Sequence, residues 1–92
     1  MWGEAVDLPY YLLLTRSITH AQRISATLEK NGISAPYFRP PISLSGRGCG
    51  YAVRVGENDL AVSRGLLRPV GLEPIRIYYH GVDGVFREIP AV

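Results

Sequence analysis

The first sustained apolar run of the chain, Tyr10-Tyr11-Leu12-Leu13-Leu14, follows Pro9 and stops at Thr15-Arg16-Ser17. A run of this length with no polar face predicts a buried central strand. The period then changes. Ala21, Ile24 and Leu28 recur at helical spacing, with Arg23, Thr27 and Lys30 off that stripe, and Asn31-Gly32 supplies a left-handed stop. Thr19-His20-Ala21-Gln22 has the form of a capping box, in which Thr19 caps and Gln22 reaches back to its amide. Ile33 to Arg39 reads as a second strand, ended by Pro40-Pro41 because neither proline donates to a ladder.

After a flexible stretch from Ile42 to Gly50, Tyr51-Ala52-Val53-Arg54-Val55 predicts a third strand. Gly56-Glu57-Asn58 offers a turn with Asn58 as N-cap. Leu60, Arg64 and Leu67, with Ala61 and Leu66 beside them, make a short helix that Pro69 terminates. Pro74 to Tyr79 is the fourth strand. Beyond it, turn signals at Gly81 and Asp83-Gly84 precede Val85 to Ile89, which fits a short edge strand.

The order βαββαβ predicts an α+β fold, the ferredoxin-like sandwich, with two helices on one face of a four-stranded antiparallel sheet. Residues 10–79 form that domain, 1–9 an N-terminal segment and 80–92 a C-terminal extension. In this topology the turn into the first helix and the loop between strands two and three lie at one end of the sheet. Cys49 is therefore expected beside Arg16, Ser17, Thr19 and His20.

Composition narrows the chemistry. A chain of 92 residues buries a small core, which disfavours a deep enclosed active site. A net charge of +2 is too little for a protein whose main partner is a polyanion. Lys30 is the single lysine; every other cation is arginine, the better residue for holding oxyanions in fixed geometry. The lone cysteine, Cys49, excludes an intramolecular disulfide and a multi-thiolate metal site, which fits a reducing, cytoplasmic setting. His20 and His80 have no third ligand forecast nearby, so no metal is expected. The acidic start, Glu4 and Asp7, and the lack of a long apolar run lead to no expectation of export or membrane association.

The segment with the most chemical content is Gly46-Arg47-Gly48-Cys49-Gly50. Glycines on both sides leave the sulfur unshielded and let backbone amides turn toward it. A thiolate is favoured by cations and helix N-termini, so Arg47, Arg16, His20 and the amides of Gly48 and Gly50 are candidate anion stabilisers. The alternative is that the cysteine is a small buried hydrophobe.

Leu12-Leu13-Leu14, Thr15-Arg16-Ser17, a helix, Asn31-Gly32-Ile33, a proline-bearing stretch, then Ser45 leading to Cys49-Gly50 and Tyr51 to Val55 resembles the selenium/sulfur (Se/S) carrier protein-like family. The resemblance runs from Tyr10 to Tyr79 and includes the turn Gly71-Leu72-Glu73-Pro74. Two departures are visible: the loop before Cys49 lacks the family's Pro-x-Pro-Arg and serine cluster, and a C-terminal extension follows Tyr79. The resemblance implies that Cys49 holds sulfur or selenium as a persulfide or selenopersulfide. It further implies a donor of the cysteine desulfurase or selenocysteine lyase type and an acceptor protein. Apart from that covalently bound atom no cofactor is expected, and the expected role is carrier or accessory protein more than stand-alone enzyme.

Other readings fare less well. Gly81-Val82-Asp83-Gly84-Val85-Phe86-Arg87 resembles the phosphate loop of acylphosphatase, but that loop should follow the first strand. Tyr10, Tyr37, Tyr51 and Tyr78 offer stacking rings for RNA, yet the Lys/Arg-Gly-aromatic signature is absent, so no nucleic acid is expected. The main alternative is a small-molecule-sensing or protein-interaction module that leaves Cys49 incidental. Such open sandwiches pair sheets or edges, so a homodimer is compatible with either reading.

Overall fold

The computed structural model describes residues 9–40 and 50–89. β1 (Tyr10–Leu14) is the predicted first strand and occupies the middle of the sheet. It runs antiparallel to β3 (Ala52–Gly56) on one side and to β4 (Arg76–His80) on the other. β2 (Tyr37–Phe38) pairs with the outer edge of β3, and β5 (Phe86–Ile89) with the outer edge of β4. Among the described residues the sheet thus has five strands in the order β2-β3-β1-β4-β5, where four were expected.

The fifth strand exists because the chain after β4 turns back at Gly81–Gly84. Gly84 adopts φ +79° and donates its N–H to the Gly81 carbonyl at 3.0 Å. The Asp83 carboxylate accepts the Val85 N–H at 3.0 Å. Glycine is the residue that takes this left-handed conformation without steric cost.

β2 is much shorter than the predicted Ile33 to Arg39. Backbone groups that a longer strand would give to a ladder are given to the first helix, α1 (Ile18–Lys30). The buried Ser25 hydroxyl donates to the Ala35 carbonyl at 2.6 Å, and the Glu29 carboxylate accepts the Ala35 N–H at 2.9 Å. Ile33 and Ala35 are buried as expected, but in an irregular connection.

The N-cap of α1 lies two residues before the predicted Thr19. Ser17, in extended conformation, accepts the His20 N–H on its hydroxyl at 3.2 Å and is the N-cap. The Thr19–Gln22 capping box does not form, because Thr19 is the second residue inside the helix; the Gln22 side-chain N–H donates to the Tyr37 hydroxyl at 3.1 Å. The helix ends as predicted, at Asn31 with Gly32 at φ +83°. The second helix, α2 (Leu60–Leu67), is entered through a 3-10 turn at Glu57–Asp59. Asp59, not Asn58, takes the cap position and makes no side-chain cap bond. Pro69 lies in a 3-10 turn, Arg68–Val70, that follows directly on α2.

Both helices pack on one face. Leu13, Val53, Val55 and Ile77 meet Ala21, Ile24 and Leu28 of α1 and Leu67 of α2 there. Leu13, Ile24, Leu28 and Leu67 are wholly buried, and each such side chain contributes about 1.5–3 kcal/mol of transfer free energy. The strand alternation sends Leu12, Leu14 and Ala52 to the other face, where Tyr10, Phe38, Tyr78 and Phe86 pack around them. The result is an α+β domain of two helices and an antiparallel sheet. No helix among the described residues is long and apolar enough to cross a membrane.

Candidate functional site

The end of β1 is where the sequence-selected residues meet. Thr15 follows the strand and is buried, and its N–H donates to the Tyr51 carbonyl at 2.9 Å. Its hydroxyl lies 2.9 Å from the same carbonyl and 3.1 Å from that of Ser17, so one proton is shared between two acceptors. Thr15 thereby fastens the lead-in to β3 onto the turn that starts α1. Gly50 lies against the same residue: a Cβ built on it would stand 3.0 Å from the Thr15 carbonyl oxygen. A side chain there would press on that carbonyl by a few tenths of an ångström, so the close approach favours glycine.

His20 sits in the first turn of α1, and its Nδ1 accepts the Arg16 N–H at 3.2 Å. That nitrogen therefore bears no proton in this arrangement, and the ring has its N–H at Nε2. Two side chains, Ser17 and His20, thus brace the turn in opposite directions, the Ser17 hydroxyl accepting the His20 N–H and the His20 ring accepting the Arg16 N–H. Arg16 points to solvent and borders an open groove of about 500 Å³ with Arg68, Gly71, Glu73, Pro74 and Ile75. Its neighbours are set by β4, because the Ile75 N–H donates to the Leu14 carbonyl at 2.9 Å.

Of the residues selected from the sequence, Arg16, His20 and Gly50 are described and lie at one end of the sheet. Arg47, Gly48 and Cys49 fall outside the described residues. Two contributors went unrecognised in the sequence. Thr15 is one; a polar residue closing a buried strand just before a helix cap was its only signal. Arg39 is the other, its guanidinium 5.5 Å from the centroid of the Tyr51 ring, within cation–π range. That contact joins the end of β2 to the residue just after Gly50. Among the described residues, no group of three or more His, Cys, Asp or Glu side chains could hold a metal ion.

An α+β domain whose candidate residues gather around the first strand–helix turn and the entry to β3 is the class of protein defined here. The model of a family described as "Putative Se/S carrier protein-like" matches residues 10–79, and the chain belongs to that family. No curated protein and no solved structure matches the chain.

Proposed function

We propose that the protein carries sulfur or selenium on Cys49, as a persulfide or selenopersulfide, between a donor and an acceptor protein. The observation that carries the reading is membership of a family described as Se/S carrier-like over residues 10–79, with Cys49 as the single cysteine. The order of the first four strands, β2-β3-β1-β4, supports reading the frame as ferredoxin-like with β5 appended. The approach of Gly50 to the Thr15 carbonyl supports a fixed point next in sequence to the cysteine.

In loading, the Cys49 thiolate attacks the terminal sulfur of the donor's persulfide. The new bond joins Cys49 Sγ to that sulfur, the donor's S–S bond breaks, and the donor leaves as a thiolate, so no oxidant or reductant is consumed. With a terminal selenium the exchange balances in the same way. Delivery repeats it with the acceptor's thiolate as nucleophile. The product is an anion larger than a thiolate, and Arg47 with the amides of Gly48 and Gly50 is assigned to hold it. A reducing cytoplasm keeps the thiol available, and a cysteine desulfurase or selenocysteine lyase is the type of donor required.

The test is intact mass under non-reducing conditions after incubation with a cysteine desulfurase and cysteine, then with a selenium donor, with Cys49→Ala in parallel. We expect a gain of one sulfur or selenium atom that dithiothreitol removes and that Cys49→Ala abolishes. Absence of any adduct would make the thiol structural and leave a sensing or protein-interaction module as the function.

A further inference from the structure

The groove beside Arg16 is not needed for the exchange itself. Glu73 is the acidic side chain along it, and Glu73 is already engaged, with Arg68 Nε 2.7 Å from its carboxylate. Arg16 forms no ion pair among the described residues. Its backbone is braced by His20, so the guanidinium extends from a fixed root. Ile75 borders the same groove and stays 45% exposed although its backbone is bonded to β1. Ile18, the first residue of α1, is 41% exposed at the same end of the sheet. An unspent cation beside exposed aliphatic side chains, in a groove open to solvent, is unlike an enclosed small-molecule pocket. It matches the anatomy of a protein interface, with an apolar contact and a charged hydrogen bond at its margin. The groove also adjoins the turn against which Gly50 packs, because Arg16 follows Thr15 directly.

We propose that this groove is the docking surface for the protein donor, which places a carboxylate on Arg16 and an aliphatic side chain against Ile75. The inference rests on the carrier reading and names how its partner is recognised. Charge selects the occupant: the groove's own acid is consumed by Arg68, and the guanidinium left over suits a bidentate carboxylate. Gly50, which packs against the turn beside the groove, is next in sequence to Cys49.

Two sources of sulfur separate docking from chemistry. One is a cysteine desulfurase with cysteine; the other is 2-hydroxyethyl hydropersulfide, a molecule too small to need a docking surface. Ile75→Asp and Ile18→Asp put a negative charge where the carboxylate-bearing partner sits, and Val62→Asp is the control, since Val62 is 56% exposed on α2. Ile75→Asp is expected to lower kcat/KM for loading by the enzyme about tenfold, the equivalent of about 1.4 kcal/mol. The loss should appear in KM, with Ile18→Asp acting in the same direction. Loading by the hydropersulfide should be unchanged in both, and Val62→Asp should alter neither reaction. Arg16→Gln should flatten the salt dependence of enzyme loading, a readout that loss of folding would not mimic. Enzyme loading that is unchanged in Ile75→Asp and Ile18→Asp would overturn the docking site. Wild-type protein that loads from the hydropersulfide but never from the enzyme would do the same. Failure to load from either source would instead overturn the carrier reading.

Discussion

At Gly50 the missing side chain is what lets the backbone lie against the Thr15 carbonyl. Thr15 cannot retreat from an added methyl, since its N–H and hydroxyl both face the Tyr51 carbonyl. Gly50→Ala is therefore expected to cost about 1–3 kcal/mol, the usual range for overpacking a close contact. Urea denaturation of the variant measures this, and an unchanged midpoint would mean that the backbone gives way freely. The sequence singled out Gly50 for accessible amides next to a thiol, whereas the structure shows its backbone packed against the Thr15 carbonyl. Arg16 and His20 were legible as neighbours because both flank one helix start. What His20 does there was not legible, because the partner of Nδ1 depends on where the ring lands. Thr15 and Tyr51 are separated by 36 positions, and no local pattern joins them.

Among elements, those with a strong period were readable and those made by exchange of partners were not. β1 and the end of α1 follow from apolar run and glycine stop. β2 lost most of its predicted length because Ser25 and Glu29 of α1 took the hydrogen bonds of Ala35. The β4–β5 turn carries the pH dependence of its own hairpin. Asp83 is held below the usual carboxylate range, first by the Val85 N–H and then by the Arg87 guanidinium at 3.1 Å. A depressed folded-state pKa stabilises the hairpin above the unfolded carboxylate value of about 3.9, and that support is lost as pH falls through the lower folded value. Because Asp83 is exposed, the effect belongs to the turn and not to global unfolding. An NMR titration should show the Val85 amide moving with a midpoint below that of a free aspartate. A midpoint at or above the free value would remove the hydrogen bond from the account.

For the molecule as a whole, β1 is the axis. It separates two clusters, the helix-side core around Leu13 and the smaller one around Leu12 and Leu14 on the opposite face. Leu13→Ala should cost about 2–5 kcal/mol, a large part of the roughly 5–15 kcal/mol that stabilises a domain. Urea denaturation should show a sharply lowered midpoint, and a change of only a few tenths of a kcal/mol would mean that the core closes over the gap. By itself the sequence determined the α+β class, the two helices, the central strand, the lone cysteine with its glycine neighbours and the resemblance to Se/S carriers. Each of these is a local pattern, set by periodicity, by backbone freedom or by the count of a residue type. The tertiary structure alone decided that the expected edge strand joins the sheet beside β4, that the second strand is short, and where the Thr15–Tyr51 fastening and the groove at Arg16 lie. Those depend on which hydrogen-bonding groups distant segments leave unspent when they meet, and that competition is settled only once the chain has folded.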